Sequence, residues 1–289
     1  RHLSQDVGLQ VNMEKSNIIP PNNGIAPGDL PNNLAGLSLC SEGTELLGAP
    51  IGTPEFENAC CCRKVQNLRR LLLVQTEESI PCQYRFLLLK DAVLPTINYL
   101  LRTVPPSNRT SATDKFDEAI QDVVKTLLGG AEWGNPREIK KCPQIYLPLR
   151  YGGLGLPLAR HVSYAAYLAS TWEAGIQLDS PTREEAVGKL KQQKVDIEED
   201  WLFSPPPSRK QQARLAGQIH DARFHHLLQN GNPTKKARLQ AARQAGAQDW
   251  LTALPTKPCQ RYTDLQWRLL ARLRLGLSVS KHELPGQCP

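Results

Sequence analysis

Proline interrupts this chain at short intervals, with 23 among its 289 residues. Because proline lacks a backbone N–H and its ring obstructs a helix interior, these residues cut the chain into short segments. The periodicity of apolar residues between the prolines then indicates what each segment forms. With 40% hydrophobic and 22% charged residues, the composition is that of an ordinary folded protein of one large or two modest domains.

Two apolar stripes after Pro54 predict helices with one buried face each. Thr113 is suited to cap the start of the second helix, and Gly129-Gly130 is suited to end it. The first stripe consists of Cys61, Val65, Leu68 and Leu72, and the second of Phe116, Ile120, Val123, Val124, Leu127 and Leu128.

Other segments are shorter or less regular. Residues 34–40 and 45–51 flank 41–44, where Gly43 is permissive, so they predict a β-hairpin. The apolar segment 84–101 contains Pro95 and predicts a kink or two helices. Segment 145–157 is rich in glycine and proline and predicts a strand or loop. Further helices are predicted over residues 161–172, 183–201, 211–228, 233–250 and 262–277.

Charge is distributed unevenly along the chain. From Trp201 onward, 14 Lys and Arg stand against four Asp and Glu, whereas residues 1–200 carry 21 against 24. The Ser-Pro-Pro-Pro-Ser segment 204–208 coincides with this change and is the best candidate for a linker. A basic tail on a near-neutral body is typical of a protein that binds a polyanion. A solvated, arginine-rich helical surface explains the same charge equally well.

The eight cysteines have no disulfide-framework spacing, and Cys60, Cys61 and Cys62 are consecutive. Reduced thiols are therefore expected, in the cytoplasm or nucleus rather than in a secreted protein. No signal pattern is present, and no apolar run approaches the ~20 residues that span a bilayer. Arg1 occupies the place of an initiator methionine, so we expect a fragment of a longer protein.

Three blocks, in this order, carry a resemblance: residues 8–16 (GLQVNMEKS), 46–52 (LLGAPIG) and 147–156 (LPLRYGGLGL). They resemble the region downstream of the catalytic hairpin in reverse transcriptases of non-LTR (LINE-like) retrotransposons. Segments 99–103 and 249–277 support the resemblance, which spans nearly the whole chain. It implies an α+β fold that is mainly α. Residues 1–53 would be a palm remnant with a primer-grip hairpin, 54–203 a helical thumb-like region, and 204–289 a basic helical extension leading to a truncated zinc knuckle.

The resemblance also implies roles for individual residues. Lys15 would assist catalysis by protonating the leaving pyrophosphate, although a lysine at such a place is equally suited to an ordinary surface. Leu47 and Gly48 would hold the primer end, where glycine permits close approach of a backbone; a simply packed hairpin is the alternative. In the last third, the residues expected to bind nucleic acid are Arg268, Arg272 and Arg274.

Glycine and histidine clusters favour structural interpretations. Gly152-Gly153-Leu154-Gly155 lacks the Lys-Ser/Thr of a phosphate-binding loop, so a turn is favoured over a nucleotide cradle. His220, His225 and His226 are not at the i, i+4 spacing of paired metal ligands, so a polar helix face is favoured.

Metal chemistry is not predicted for this chain itself. Polymerases hold two metal ions about 4 Å apart with converging carboxylates, and the adjacent acids here lie in polar helical contexts. Mg²⁺ is expected for the parent enzyme only. Cys288 occupies the place of a first zinc-knuckle ligand, so Zn²⁺ would need residues beyond Pro289. The adjacent acids are Glu77-Glu78, Glu184-Glu185 and Glu198-Glu199-Asp200.

The leading hypothesis is a fragment of an RNA-directed DNA polymerase that contributes primer grip, thumb and nucleic-acid binding. Its partners would be RNA and DNA, as template–primer and element RNA, and the chain alone would not polymerise. The alternative is a non-catalytic helical module derived from such an element that binds RNA, DNA or protein. A decayed remnant without selected function is the third reading.

Overall fold

A computed structural model describes residues 12, 16–19, 37–73, 77, 79–129, 133, 136–198 and 210–279. Helices dominate, and the strands form two sheets of two strands each. The predicted fold class, mainly α with a small β part, is confirmed. Within the described residues, no helix is long and apolar enough to cross a membrane.

The first sheet pairs β1 (Asn17–Ile18) with β2 (Ser38–Leu39) in parallel, and the second pairs β3 (Gly43–Leu46) with β4 (Ala49–Gly52) in an antiparallel hairpin. The hairpin turns at Leu47-Gly48, where φ is +50° and +84°. A two-residue hairpin loop with two positive φ angles matches the right-handed twist of its strands.

The predicted turn at residues 41–44 is wrong. Gly43 instead begins β3 opposite Gly52, and Ser38–Leu39 pairs with Asn17–Ile18 rather than with the hairpin. The observed two-residue loop has φ > 0 at both positions, and Gly48 adopts such a φ without steric cost.

The two stripe helices are α1 (Pro54–Leu73) and α4 (Thr110–Leu127), which pack against each other. Their apolar stripes are buried as predicted, with Leu68 only partly covered. The predicted cap at Thr113 is wrong, because α4 begins at Thr110 and the Thr113 hydroxyl, inside the first turn, donates to Arg109 O at 2.6 Å. Gly129, with φ +96°, follows the end of α4 as predicted.

The segment with Pro95 forms one continuous helical run of changing pitch. α2 (Cys82–Leu88) passes into a π turn (Leu89–Val93), a 3₁₀ turn (Leu94–Ile97) and then α3 (Asn98–Thr103). Pro95 occupies the second position of the 3₁₀ turn, near its start, where a residue without an N–H is best tolerated. Two α-helices, α2 and α3, are thus joined through a π turn and a 3₁₀ turn, where a kink or two helices had been predicted.

Seven α-helices follow α4 in the residues that the structure describes. The predicted helix 183–201 ends at Gln192, and the predicted helix 233–250 is divided by a stretch that contains Gly246 at φ +80°. The segment 145–157, predicted as a strand or loop, forms 3₁₀ turns and loop. The helices are α5 (Pro136–Lys140), α6 (Ala159–Glu173), α7 (Ser180–Gln192), α8 (Gln211–Asn230), α9 (Pro233–Ala241), α10 (Asp249–Thr252) and α11 (Asp264–Leu275).

The largest core cluster joins residues from Cys61 to Leu277. Trp267 of α11 is fully buried, with its ring centroid 5.3 Å from that of Phe86 in α2. The predicted division at residue 204 therefore does not coincide with a break in the core. There are two smaller clusters in the described residues. One joins α6, α7 and α8, and the other joins the 3₁₀ turn at Leu149–Tyr151 with α8 and α9.

Candidate nucleic-acid interface

Helix α8 is bordered by basic side chains from several segments of the described structure. Leu215 and Ile219 are buried against α6 and α7, whereas Phe224 is buried against Tyr151 and Leu239. These contacts fix the rotation of the helix, so that polar and basic residues between them border the surface.

Arg150 reaches α8 at a glycine. A Cβ built on Gly217 would lie 3.9 Å from the nearest Arg150 nitrogen, and the Arg150 guanidinium lies 5.0 Å from the Tyr151 ring centroid. The Tyr151 hydroxyl donates to the carboxylate of Asp221 at 2.7 Å. Tyr151 thus places an arginine from a distant turn beside α8.

Two further arginines meet between α6 and α8. Arg160, in the first turn of α6, lies 3.5 Å from the carboxylate of Asp117. Burial lowers the pKa of Arg223, and the neighbouring positive charge of Arg160 lowers it further. On the other side, the Arg243 guanidinium lies 4.6 Å from the Phe224 ring centroid, a cation–π contact.

Two histidines lie among these arginines and are uncharged at neutral pH. Burial, with the nearby charges of Arg223 and Arg160, lowers the pKa of His161 to about 3. Burial, with Arg223 and Arg150, lowers the pKa of His220 to about 4. His220 is buried, so the predicted polar helix face holds only for His225 and His226, which are exposed.

A cavity of about 410 Å³ adjoins Arg223 and is also lined by Lys194 and His226. Lys194 follows the end of α7 in a left-handed conformation, with φ +64°. Gln193, on the same wall, has a buried side-chain oxygen without a hydrogen-bond partner in the described residues. The cavity therefore extends the basic surface between α7 and α8.

We call this set the α8 cationic surface: Arg150, Arg160, Lys194, Arg223 and Arg243. Two carboxylates contact members of this group: Asp117 lies 3.5 Å from Arg160, and Asp221 accepts from the hydroxyl of Tyr151 beside Arg150. Like charges held together repel one another, so an anion bound across them is stabilised.

Leu47 and Gly48 lie at the tip of the β3–β4 hairpin, as the primer-grip prediction requires of a turn. Leu47 is 90% exposed and Leu46 is 58% exposed. The Tyr99 hydroxyl donates to Leu47 O at 2.7 Å and ties the tip to α3. The tip is an apolar, anchored projection that can contact a partner.

The arginines predicted to bind nucleic acid have different environments. Arg272 is fully buried and donates to Leu128 O at 2.8 Å and to Ser278 O at 2.7 Å. Arg274 is 8% exposed and donates to the carbonyls of Gly153, Leu149 and Ala247.

Because their N–H donors point inward to backbone carbonyls, Arg272 and Arg274 are not exposed for the predicted nucleic-acid contacts. Arg268 is partly exposed, with its Nε 3.3 Å from Leu127 O, and stays a prediction.

Lys15 and Cys288 lie outside the described residues. The Asn17 side chain donates to the Thr44 hydroxyl at 3.1 Å, so Asn17 itself adjoins the hairpin. In the described residues, no three His, Cys, Asp or Glu side chains are grouped to hold a metal ion.

Sequence reasoning missed Arg150, Arg160 and Lys194, because all three precede the basic tail that the charge count singled out. Arg150 belongs to the block 147–156, which carries the resemblance and was interpreted as a turn, without a role for Arg150. The nearby aromatic Tyr151 was the available signal, since arginine next to an aromatic ring is common at nucleic-acid surfaces.

Comparisons with protein-family models, curated proteins and solved structures found no significant match for this chain.

Proposed function

We propose that this chain binds RNA or DNA through the α8 cationic surface, as part of an RNA-directed DNA polymerase of the non-LTR retrotransposon type. The observation that carries the binding proposal is the convergence of five cations from separate segments around one helix. Arginine and lysine bind the phosphate backbone without reading its sequence. The polymerase assignment depends on the three sequence blocks.

The hairpin tip supports the same proposal. Leu46 and Leu47 are exposed, and the tip is anchored by Tyr99. An exposed apolar turn on a fixed support suits contact with the sugars and bases of a primer end. In a parent enzyme, Mg²⁺ would be bound by carboxylates other than those of this chain, and Zn²⁺ by Cys288 with residues beyond Pro289.

The same exposed leucines favour the second candidate, a non-catalytic module that binds RNA, DNA or protein. Exposed apolar side chains on a rigid projection are typical of protein interfaces as well. The two candidates differ in which surface determines affinity for nucleic acid.

The test is fluorescence anisotropy of a labelled single-stranded RNA at several salt concentrations. Five phosphate contacts give a slope of log K against log salt of about −3.5 for a single strand, at about −0.7 for each contact. The double variant Arg150→Gln/Arg243→Gln should bind more weakly and reduce the slope by about 1.4.

The matched control is Lys115→Gln/Lys125→Gln on α4, which removes the same charge outside the α8 cationic surface. This pair should keep nearly the wild-type slope. Equal affinity and slope in the wild type and in the arginine variant would reject the α8 surface as the binding site. RNA binding that is lost only on changing Leu47 would favour the apolar tip instead.

A further inference from the structure

A second cavity, of about 610 Å³, lies between α5, α8, α9 and the residues that follow α11. Its volume is within the range of about 300–1,000 Å³ that is typical of small-ligand sites. Leu227 of α8 lines both this cavity and the smaller one beside Arg223. The larger cavity therefore adjoins the α8 cationic surface without sharing its arginines.

Three cationic side chains line this cavity: Lys141, Lys235 and Arg238. Within the described residues, none of them forms an ion pair. The Arg238 Nε is buried and has no hydrogen-bond partner there, and another of its nitrogens lies 3.4 Å from the Gln144 side-chain oxygen. A buried donor without a partner is costly, so a bound acceptor would be stabilised.

The carboxylate of the cavity is already engaged. Glu138 accepts hydrogen bonds from the backbone N–H and the hydroxyl of Ser278, at 3.1 and 2.6 Å. These bonds hold the pKa of Glu138 below its usual value. Glu138 therefore stays ionised and oriented toward Ser278, and three cations against this one acid leave the cavity positive.

Gly276 makes room for Arg238. It ends α11 in a left-handed conformation with φ +66°, and a Cβ at this position would collide with the Arg238 guanidinium. The arginine can therefore extend along the cavity wall beside the end of the helix.

The rest of the lining combines the polar side chains of Gln144 and Ser278 with apolar side chains that can cover a flat ring. A ligand that fits both parts of the cavity has an anionic group at one end and an apolar group at the other. The apolar lining consists of Pro143, Leu227, Leu239, Leu275 and Leu277.

We propose that this cavity binds a nucleotide, with its phosphate on Lys141, Lys235 and Arg238 and its base against the leucines. Arginine and lysine are the side chains that recognise phosphate dianions. The nucleotide is either free or the phosphorylated end of a nucleic-acid strand, since both present a phosphate joined to a nucleoside. The proposal does not rest on the α8 cationic surface.

The experiment is calorimetric titration of the full chain with AMP, with adenosine and pyrophosphate in parallel. We expect saturable binding of AMP, weaker binding of pyrophosphate and none of adenosine. The variant Lys141→Gln/Lys235→Gln should weaken AMP binding by at least about tenfold, because each change removes a charge-assisted contact.

The control variant is Lys140→Gln/Lys236→Gln, at the adjacent positions that do not line the cavity. It carries the same net charge as the test variant and should bind AMP almost as the wild type does. Because Lys140, Lys141 and Lys235 are exposed and Lys236 is partly so, both variants should melt close to the wild type.

Competition separates the two sources of the nucleotide. An oligonucleotide with a 5′-phosphate that displaces AMP, while its 5′-hydroxyl counterpart does not, identifies a strand end. AMP binding without displacement identifies a free nucleotide. The proposal is overturned if AMP, pyrophosphate and the 5′-phosphorylated strand all fail to bind saturably, or if both lysine pairs weaken binding equally. Neither outcome depends on the Arg150/Arg243 variant, so the two proposals can fail separately.

Discussion

Arg109 is 1% exposed and donates to the carbonyls of Leu101 and Val104 and to the hydroxyl of Ser163. Burial lowers its pKa to about 10, so it remains charged at neutral pH. A guanidinium has five donors in one plane, which suits it to carbonyls left unpaired where a helix ends. Arg272 and Arg274 have the same role, so the charge count of the sequence overstates the charge on the surface.

Asp117 is the acidic counterpart of these arginines. Its carboxylate is fully buried in α4 and accepts the backbone N–H groups of Ala159 and Arg160 at 2.6 and 3.1 Å. It therefore caps the start of α6 from another helix, where the helix dipole favours negative charge. Burial nevertheless raises the pKa of Asp117 to about 6, because these bonds offset only part of the lost hydration.

The first prediction is a pH dependence carried by Asp117. Its pKa is raised in the folded chain from 3.8 to about 6, so between these values the folded chain binds more protons than the unfolded chain. Stability should therefore fall as pH rises through this window, with a slope of at most about 1.4 kcal/mol per pH unit. Asp117→Asn should remove this contribution.

Urea unfolding of the wild type and Asp117→Asn across this pH range measures the effect. The wild type should gain stability relative to the variant as pH falls. Glu118→Gln, an exposed neighbour on α4, is the control for loss of a negative charge. A constant difference between wild type and Asp117→Asn over the window would show that Asp117 does not titrate there.

At the scale of elements, α4 is fixed by its apolar stripe and by contacts at its end. Phe116, Ile120 and Val124 are buried in the main core, as the periodicity of the sequence predicts. At its C-terminus, Arg268 and Arg272 of α11 donate to the last carbonyls of this stretch. A positive group at this end of a helix also interacts favourably with the helix dipole.

The second prediction tests the stripe. Val123 is 4% exposed, so Val123→Asp would bury a carboxylate without a partner in the core. We expect a loss of about 3–5 kcal/mol in the free energy of unfolding, measured by chemical denaturation. Asp122→Asn, at the neighbouring exposed position, should change it by no more than about 0.5 kcal/mol. A variant at Val123 that melts like the wild type would mean that the stripe is exposed.

At the scale of the whole molecule, α11 packs against α2 in the main core. Asp264 accepts the backbone N–H of Cys82 at 2.7 Å and lies 3.2 Å from the Arg85 guanidinium. Trp267 packs on Phe86 in the same region. These contacts join residues roughly 180 positions apart, so α11 is part of the main core.

The third prediction follows from this packing of α11 against α2. A chain that ends at residue 203 should lose the cooperative thermal transition of the full chain, because Trp267, Ala271 and Leu275 leave the core. Near-ultraviolet circular dichroism during heating would measure this. A cooperative transition in the shortened chain, at nearly the wild-type temperature, would show that the first two thirds fold alone. For this reason the binding test relies on charge variants rather than on truncation.

The sequence by itself determined the local features of this protein. Apolar spacing identified the faces of α1 and α4, and glycine marked the end of α4. These features depend on residues a few positions apart, whose backbone preferences act wherever the segment lies. The mainly helical fold class follows from the sum of such segments.

Only the tertiary structure decided which cations face solvent. Arg272 and Arg150 look alike in the sequence, each beside apolar residues, yet one is buried on carbonyls and the other lies over α8. For Arg272, the buried position depends in part on a carbonyl supplied by a segment more than a hundred residues away, that of Leu128. The positions of Lys141, Lys235 and Arg238 around one cavity have the same origin, since packing of distant helices brings them together.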